Sequence, residues 1–406
     1  MAYIMVVNPA ILAVAGIPKE AQTTATILAA VIGCLIMAFW AKRPFAIAPY
    51  MGENAFIAFV VVKGMGYSWQ EALGAVFWAG LLFVLLTLFK VRSWLAESIP
   101  LSLKASFAVG IGLFITFIGL NDAGLVVLGV PGAPVKLGDL SQPSVLLAVC
   151  GLLVTAMLLV RKVTGALLYG MLGVTLASMA LGITKLPAAL VSMPPSLTPL
   201  FLKLDLLGTL QPRVFPVVLV TFVIALLDTI GSLIGLSMRA DLVDRDGNLP
   251  EIERPMLADA VATTLAPLLG TTTTGAYVES AAGIEAGGRT GFTALVVAVL
   301  FAVSLFLAPL FGMVPPFACG VVLVLIGAFM ITPITRIDFN DNSELLPAFL
   351  TITLMIFTYN IGVGMTAGLI SYPLIKLAIG KGREVKPGMW VLALLAVSFF
   401  ICLPKG

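Results

Sequence analysis

Two carboxylates lie in segments that are otherwise almost wholly apolar. Glu279 follows the run Thr271-Thr-Thr-Thr-Gly-Ala-Tyr-Val278, and Asp228 closes the apolar run Val217 to Leu227. A run of Thr and Gly suits extended backbone and makes a poor lipid-facing helix. Irregular backbone at bilayer depth survives only where protein buries it or where it lines a watery cavity. An ionisable group inside a hydrophobic span marks a functional site by default. A third polar group, Asn54, stands in Ala48-Pro-Tyr-Met-Gly-Glu-Asn54 and can donate and accept at once, while each carboxylate can accept two N–H bonds. Two acids and an interrupted span point to transport across a membrane.

Composition sets the class. Of 406 residues, 60% are hydrophobic and 11% charged, against about 25% charged in soluble domains. The chain is therefore an integral membrane protein with many helices. Its net charge of +3 is small and its basic residues sit in short loops, which argues against a nucleic acid partner. Histidine is absent, which removes the usual proton shuttle and the commonest metal ligand. Cys34, Cys150, Cys319 and Cys402 sit far apart in apolar segments and read as small core hydrophobes. No nucleophile–base set, metal-ligand cluster or nucleotide-binding cassette is found, so neither an enzyme nor an ATP-driven pump is expected, and no cofactor. Asp244-Arg-Asp246-Gly-Asn248 opens like a calcium loop but lacks the later ligands, and reads as a turn.

Runs of about 17–25 apolar residues can span a bilayer. They fall at 1–17, 23–41, 45–63, 69–89, 103–127, 143–160, 164–183, 214–236, 255–270, 271–287, 291–312, 314–333, 345–361 and 362–380. The expected fold is an all-α polytopic membrane protein with about fourteen spans, the third and tenth broken by extended segments ahead of half-helices. Met389 to Leu403 forms a further apolar run, short enough to lie in the interface or to span incompletely. Met1 falls inside the first run with no basic flank, so an upstream segment is expected, and no signal-peptide pattern is present. With the N-terminus cytoplasmic, twelve Lys and Arg fall in inner loops (Lys42, Arg43, Lys90, Arg92, Lys104, Arg161, Lys162, Arg239, Arg245, Arg254, Arg289, Arg336) and six in outer ones. That bias supports a multi-pass cell-membrane protein with its N-terminus inside.

The halves resemble each other weakly. Ile99-Pro100 opens the fifth span and Val314-Pro315 the twelfth (314 minus 99 is 215); Asn8-Pro9 matches Asp228-Thr229 (228 minus 8 is 220); Tyr50 matches Tyr277 (277 minus 50 is 227). One shift near 220 links three irregular features. Seven spans is an odd number, so the second copy must be inverted. Opposed half-helices would then aim backbone N–H groups and positive dipole ends at a midplane pocket. A flat heterocycle with alternating N–H and C=O edges would suit it. Gly110-Ile-Gly112 reads as helix packing, and Glu285 with Arg289 as a pair near the inner surface.

The combined pattern resembles a known family over essentially the whole chain. It comprises Asn8-Pro-Ala-Ile-Leu12, Ala48-Pro-x-Met-Gly-x-Asn-Ala-Phe56, Met65-Gly-Tyr-Ser-Trp-Gln-x-Ala-Leu-Gly-Ala75, Leu227-Asp-Thr-Ile-Gly-Ser232 and Tyr277-Val-Glu-Ser-Ala-Ala-Gly-x-x-x-Gly-Gly-Arg-Thr-Gly291. The chain is similar to the AzgA-like hypoxanthine/guanine/adenine permeases of the nucleobase–cation symporters, which share the uracil-permease fold. That resemblance implies two inverted sets of seven spans. It implies a core domain (1–89 and 184–312) and a gate domain (90–183 and 313–406). It implies purine uptake driven by protons, with sodium as the alternative ion, often as a homodimer. Carried over by position, Asp228, Glu279 and Asn54 are the site residues, Tyr277 and the backbone of Val278 face the base, and Ser232 stands where the uracil permease has histidine. Asp228 and Glu279 are the expected proton carriers. Where relatives usually read Pro-Gly-Met-Gly-Leu-Asn, this chain has Tyr50 and Glu53, which places Glu53 beside the site too. Asp228 as a structurally tied acid and Glu279 or Asn54 as helix caps are the bland alternatives. Sulfate or bicarbonate transport on the same fold, or uptake of uracil or xanthine, are the competing functions.

Overall fold

The computed structural model describes residues 1–89, 94, 98–130, 133–185, 191–239, 242, 251–277 and 279–402. In lipid every backbone N–H and C=O must find its partner within the protein, so the apolar runs become helices. The first half holds α1 (Ile4–Val14), α2 (Lys19–Ile36), β1 (Ile47–Pro49), α3 (Met51–Ala55), α4 (Trp69–Leu88), α5 (Leu101–Asp122), α6 (Pro143–Val160) and α7 (Ala166–Ala180). The second holds α8 (Phe215–Arg239), α9 (Glu253–Leu269), β4 (Thr274–Ala276), α10 (Ser280–Glu285), α11 (Gly291–Ser304), α12 (Ala308–Gly312), α13 (Pro316–Phe329), α14 (Asn342–Phe357) and α15 (Ile361–Ala378). Among the described residues up to Ala378, taking β1–α3, β4–α10 and α11–α12 each as one segment, each half contributes seven, fourteen in all. Among the described residues seven helices, Lys19–Ala41 and Gly291–Gly312 among them, are long and apolar enough to cross a membrane, and shorter apolar helices such as Ile4–Val14 and Asn342–Phe357 accompany them.

Three features depart from the sequence reading. The fifth span ends at Asp122, and Gly124, at φ +72°, turns the chain into an antiparallel hairpin of β2 (Val126–Val130) and β3 (Ala133–Leu137). The β-branched Val126, Val127 and Val130 form a strand pattern that their apolarity concealed. The terminal run forms α16 (Pro387–Cys402), which packs on α15 and α8 and buries Met389, Leu392 and Ala396. Cys34 and Cys319 are buried as expected, but Cys150 is exposed, on a helix whose Leu153 and Met157 also face outward.

Close helix crossings use the glycines. A Cβ on Gly327 of α13 would lie 2.3 Å from the Gly112 carbonyl oxygen of α5, and one on Gly320 would lie 2.5 Å from that of Gly119. A Cβ on Gly110 would meet Met355 Sδ of α14 at 2.3 Å. These glycines let helix backbones touch, which is the packing role expected of them. On the other side of the molecule α4 packs on α9 and α8, and α2 packs on α11 and α1.

The broken segments meet at the centre. β1 pairs antiparallel with β4 in the register Ile47↔Ala276, Ala48↔Gly275, Pro49↔Thr274. Past β1 the chain continues as α3 and then as a wider π-helical stretch, Phe56–Gly64. Such bulges cluster at functional sites.

Candidate functional site

Three-residue strands buried this deeply must satisfy their outward backbone groups from side chains. The two halves do so in matching ways. The Ile47 N–H donates to Cys34 Sγ at 3.2 Å, and that thiol donates back to the Ile47 carbonyl at 3.3 Å. In the other half the Thr274 N–H donates to Thr263 Oγ1 at 3.3 Å, and that hydroxyl donates to the Thr274 carbonyl at 2.8 Å. The ladder is lengthened at both ends, by Tyr50 N–H to the Thr273 carbonyl at 3.0 Å and by Tyr277 N–H to the Ala46 carbonyl at 2.9 Å. Gly270, at φ +96°, ends α9 and releases the threonine run into extended backbone.

Around this strand pair most of the expected residues converge. The rings of Tyr50 and Tyr277 lie nearly parallel, 11° apart with centroids at 6.3 Å. The Tyr50 hydroxyl meets Ser232 Oγ at 3.2 Å, and Ser232 in turn donates to the Asp228 carbonyl at 2.7 Å, one turn back along α8. The Tyr277 hydroxyl donates to the Pro49 carbonyl. Gly275 exists to admit Tyr50: a Cβ there would lie 2.0 Å from the ring. The Asp228 side chain is half-buried and faces Asp259 of α9, whose carboxylate accepts the Thr229 hydroxyl. Glu53, on the first turn of α3, is fully buried and faces both aspartates.

Glu279 is half-buried, and its Oε1 accepts the hydroxyl of Tyr3 from α1. It precedes a helix of only six residues, so the dipole argument made for paired half-helices holds for the α3 side and weakly for α10. Asn54 is fully buried, donates to Asn8 Oδ1 and accepts the Thr272 hydroxyl. Asn8 also donates to Thr26 at 2.6 Å and Thr271 at 3.1 Å, and Gln22 donates to Thr271 at 2.8 Å. Asn54 thus anchors the threonine run to α1 and α2. Val278 lies outside the described residues, as do residues 243–250, where the calcium-loop look-alike falls. Arg289 donates to the carbonyls of Ile284 and Gly288, closing the end of α10.

Two site residues escaped the sequence reading. Asp259 is an acid inside an apolar span, so the rule that singled out Asp228 applies to it equally. Tyr3 carried no signal of its own. Only the fold brings Tyr3 to Glu279 across 276 positions of chain.

A polytopic protein whose halves cross as broken spans at a buried cluster of carboxyls and tyrosines is a membrane transporter of the inverted-repeat class. Comparison with known proteins narrows this. The model of the Permease family (Xan_ur_permease) matches residues 1–367. The guanine/hypoxanthine permease PbuO of Bacillus subtilis (strain 168) is 40% identical over 99% of this chain and 94% of its own length. The adenine permease AdeP of Escherichia coli (strain K12) is 38% identical over 98% of this chain and 89% of its own. The transmembrane domain of the cyanobacterial bicarbonate transporter BicA superposes with a TM-score of 0.67 at 18% identity, over 90% of this chain and 94% of that one, a likeness of fold alone. The chain belongs to the Permease family, among the AzgA-like nucleobase permeases.

Proposed function

We propose that the protein imports purine nucleobases (hypoxanthine, guanine or adenine) across the cell membrane by proton symport, with its N-terminus in the cytoplasm. The observation that carries this reading is the gathering of Asp228, Glu53 and Glu279 around the stacked Tyr50 and Tyr277 at the crossing of the two breaks. A purine is flat and presents N–H groups along its edges. Carboxyls accept those bonds, and tyrosine rings give the faces something to stack on. Asn54, held by Asn8 and Thr272, keeps the two breaks in register, Ser232 positions Tyr50, and the backbone at Val278 lines the base. Asp228 and Glu279 carry the coupled proton, there being no histidine in the chain.

Transport follows alternating access between a core domain, 1–89 with 184–312, and a gate domain, 90–183 with 313–406. The packing of α5 on α13 and α14, and of α4 on α8 and α9, supports that division. At the seam, a Cβ on Gly52 of α3 would meet Ile111 of α5 at 2.8 Å, so the gate helix rests directly on the half-helix beside Glu53. The protein acts as a homodimer. Bicarbonate or sulfate is the competing substrate on this fold, and a pocket walled by carboxyls repels anions. Uptake of labelled hypoxanthine in competition with unlabelled purines, uracil, xanthine and bicarbonate tests the reading: purines should compete and bicarbonate should not.

A further inference from the structure

Glu53 stands out among the described side chains. It is 0% exposed, and neither of its carboxyl oxygens has a hydrogen-bond partner outside its own residue. Buried polar groups are almost always paired, and an ionised carboxylate without a donor or a cation is very costly to bury. The groups facing Glu53 offer it little. From α8 and α9 these are the carboxyls of Asp228 and Asp259; from its own segment and from β4 they are the hydroxyls of Tyr50 and Tyr277. The Tyr277 hydroxyl is committed to the Pro49 carbonyl, Tyr50 is engaged with Ser232, and Ile111, the gate residue against the neighbouring Gly52, is apolar. Two neighbouring carboxyls further oppose a negative charge here. A neutral COOH in this place is one donor and one acceptor lacking partners.

A neutral carboxyl matches the edge of hypoxanthine or adenine in a way a carboxylate does not. Hypoxanthine and guanine present N1–H beside the O6 carbonyl, and adenine presents the 6-amino group beside N1. Each is one donor next to one acceptor, complementary to COOH. An ionised carboxylate offers two acceptors and leaves one member of each pair facing a like group.

We propose that Glu53, in its protonated form, binds the hydrogen-bonding edge of the substrate, so that a proton must be loaded there before the base is held. The inference rests on the nucleobase-transport reading above and adds to Asp228 and Glu279 a third proton-binding carboxyl. In the cycle, Glu53 takes a proton from the outer solution when the site is open and the base then docks on the acid. Once the site faces inward the base departs, and Glu53 loses its proton to inner water as its carboxylate is hydrated. No covalent bond to the base is made or broken.

The test is the affinity of the purified protein for labelled hypoxanthine between about pH 6 and 8. A single linked proton changes affinity by up to about tenfold per pH unit. Glu53→Gln is a fixed neutral side chain with one donor group and one acceptor. It should bind with near wild-type affinity at the low end and lose the Glu53 share of the pH dependence, up to about tenfold per pH unit, keeping only what Asp228 and Glu279 contribute. Glu53→Leu, which keeps bulk without polarity, should bind at least about tenfold more weakly at every pH. The carboxylic C=O band that base addition perturbs in infrared difference spectra should vanish in Glu53→Gln. If Glu53→Gln keeps the full wild-type pH dependence and the band, the proposal is overturned while purine transport stands. If the wild-type protein binds no purine, the functional reading fails first. Should Glu53→Gln not fold, wild-type protein still decides: at about pH 8 base addition must draw protons from solution, and their release, or no change, overturns the proposal.

Discussion

Tyr50 and Tyr277 occupy equivalent places in the two halves, 227 positions apart (277 minus 50), and their rings lie 11° from parallel with centroids at 6.3 Å. Each donates its backbone N–H to the opposite broken segment, Tyr50 to Thr273 and Tyr277 to Ala46. The pair is held by more than its own contact: Ser232 fixes one hydroxyl and the Pro49 carbonyl the other. The inverted repeat therefore makes the site by crossing itself, and every other site residue is placed relative to that crossing.

Gly275→Ala should disable this arrangement without unfolding the protein. The added Cβ would lie 2.0 Å from the Tyr50 ring, which must swing off Tyr277 and give up Ser232. Uptake should fall at least about tenfold, the loss of an aromatic contact and a hydrogen bond together costing about 1.5–3 kcal/mol. Wild-type uptake by Gly275→Ala would show that the ring pair is not needed.

Glu279→Gln keeps shape but replaces one acceptor by a donor, both toward substrate and toward Tyr3. Hypoxanthine affinity should drop roughly ten- to a hundredfold, the usual value of a charge-assisted bond. Asp228→Asn should instead impair accumulation against a gradient more than equilibrium binding. Wild-type transport by both variants would place the site elsewhere.

Much of this was legible in the sequence because membrane folding is so constrained. Fourteen spans, the breaks at 45–63 and 271–287 and the 227-residue offset follow from hydropathy and from where Thr, Gly and Pro interrupt it. Asp228, Glu279 and Asn54 stood out as polar groups in apolar runs, and the fold brings them to one crossing. The strand pairing was less accessible, since nothing local says that Ile47 meets Ala276. The 126–137 hairpin was hidden because an apolar strand and the end of an apolar helix look alike in composition. The partner of Glu279 was out of reach because Tyr3 is brought to it by α1 packing, not by any motif.

Lys376 should matter for stability and not for recognition. It is 3% exposed and pairs with Glu344 at 2.8 Å and Asp341 at 3.7 Å, while Ser102 and Tyr372 donate to the same glutamate. Lys376→Met should cost about 2–3 kcal/mol, less than a wholly buried pair because Glu344 is partly solvated. A lower melting temperature with hypoxanthine affinity intact is expected; an unchanged melting temperature would contradict it. The Ser343 hydroxyl and N–H, with Lys376 beside them, hold the Asp341 carboxyl below its usual range. A lowered folded value contributes stability above the ordinary carboxylate range, lost only as pH falls through the lowered one. Asp341 therefore adds no pH dependence near neutrality.

Transport itself should depend on pH there. Uptake should rise as external pH falls from about 8 to 6, since the proposed carriers are carboxyls that must be protonated to load. An uncoupler should abolish accumulation and leave exchange of internal for external base. Accumulation that needs sodium and ignores pH would make the carboxyls cation ligands.

The most direct test of the central claim is equilibrium binding of labelled hypoxanthine to the purified protein, with unlabelled guanine, adenine, uracil, xanthine, sulfate and bicarbonate as competitors. The account predicts binding in the micromolar range, about −7 to −8 kcal/mol, displaced by purines and weakened in Glu279→Gln. Absence of hypoxanthine binding, with bicarbonate or sulfate bound in its place, would contradict it.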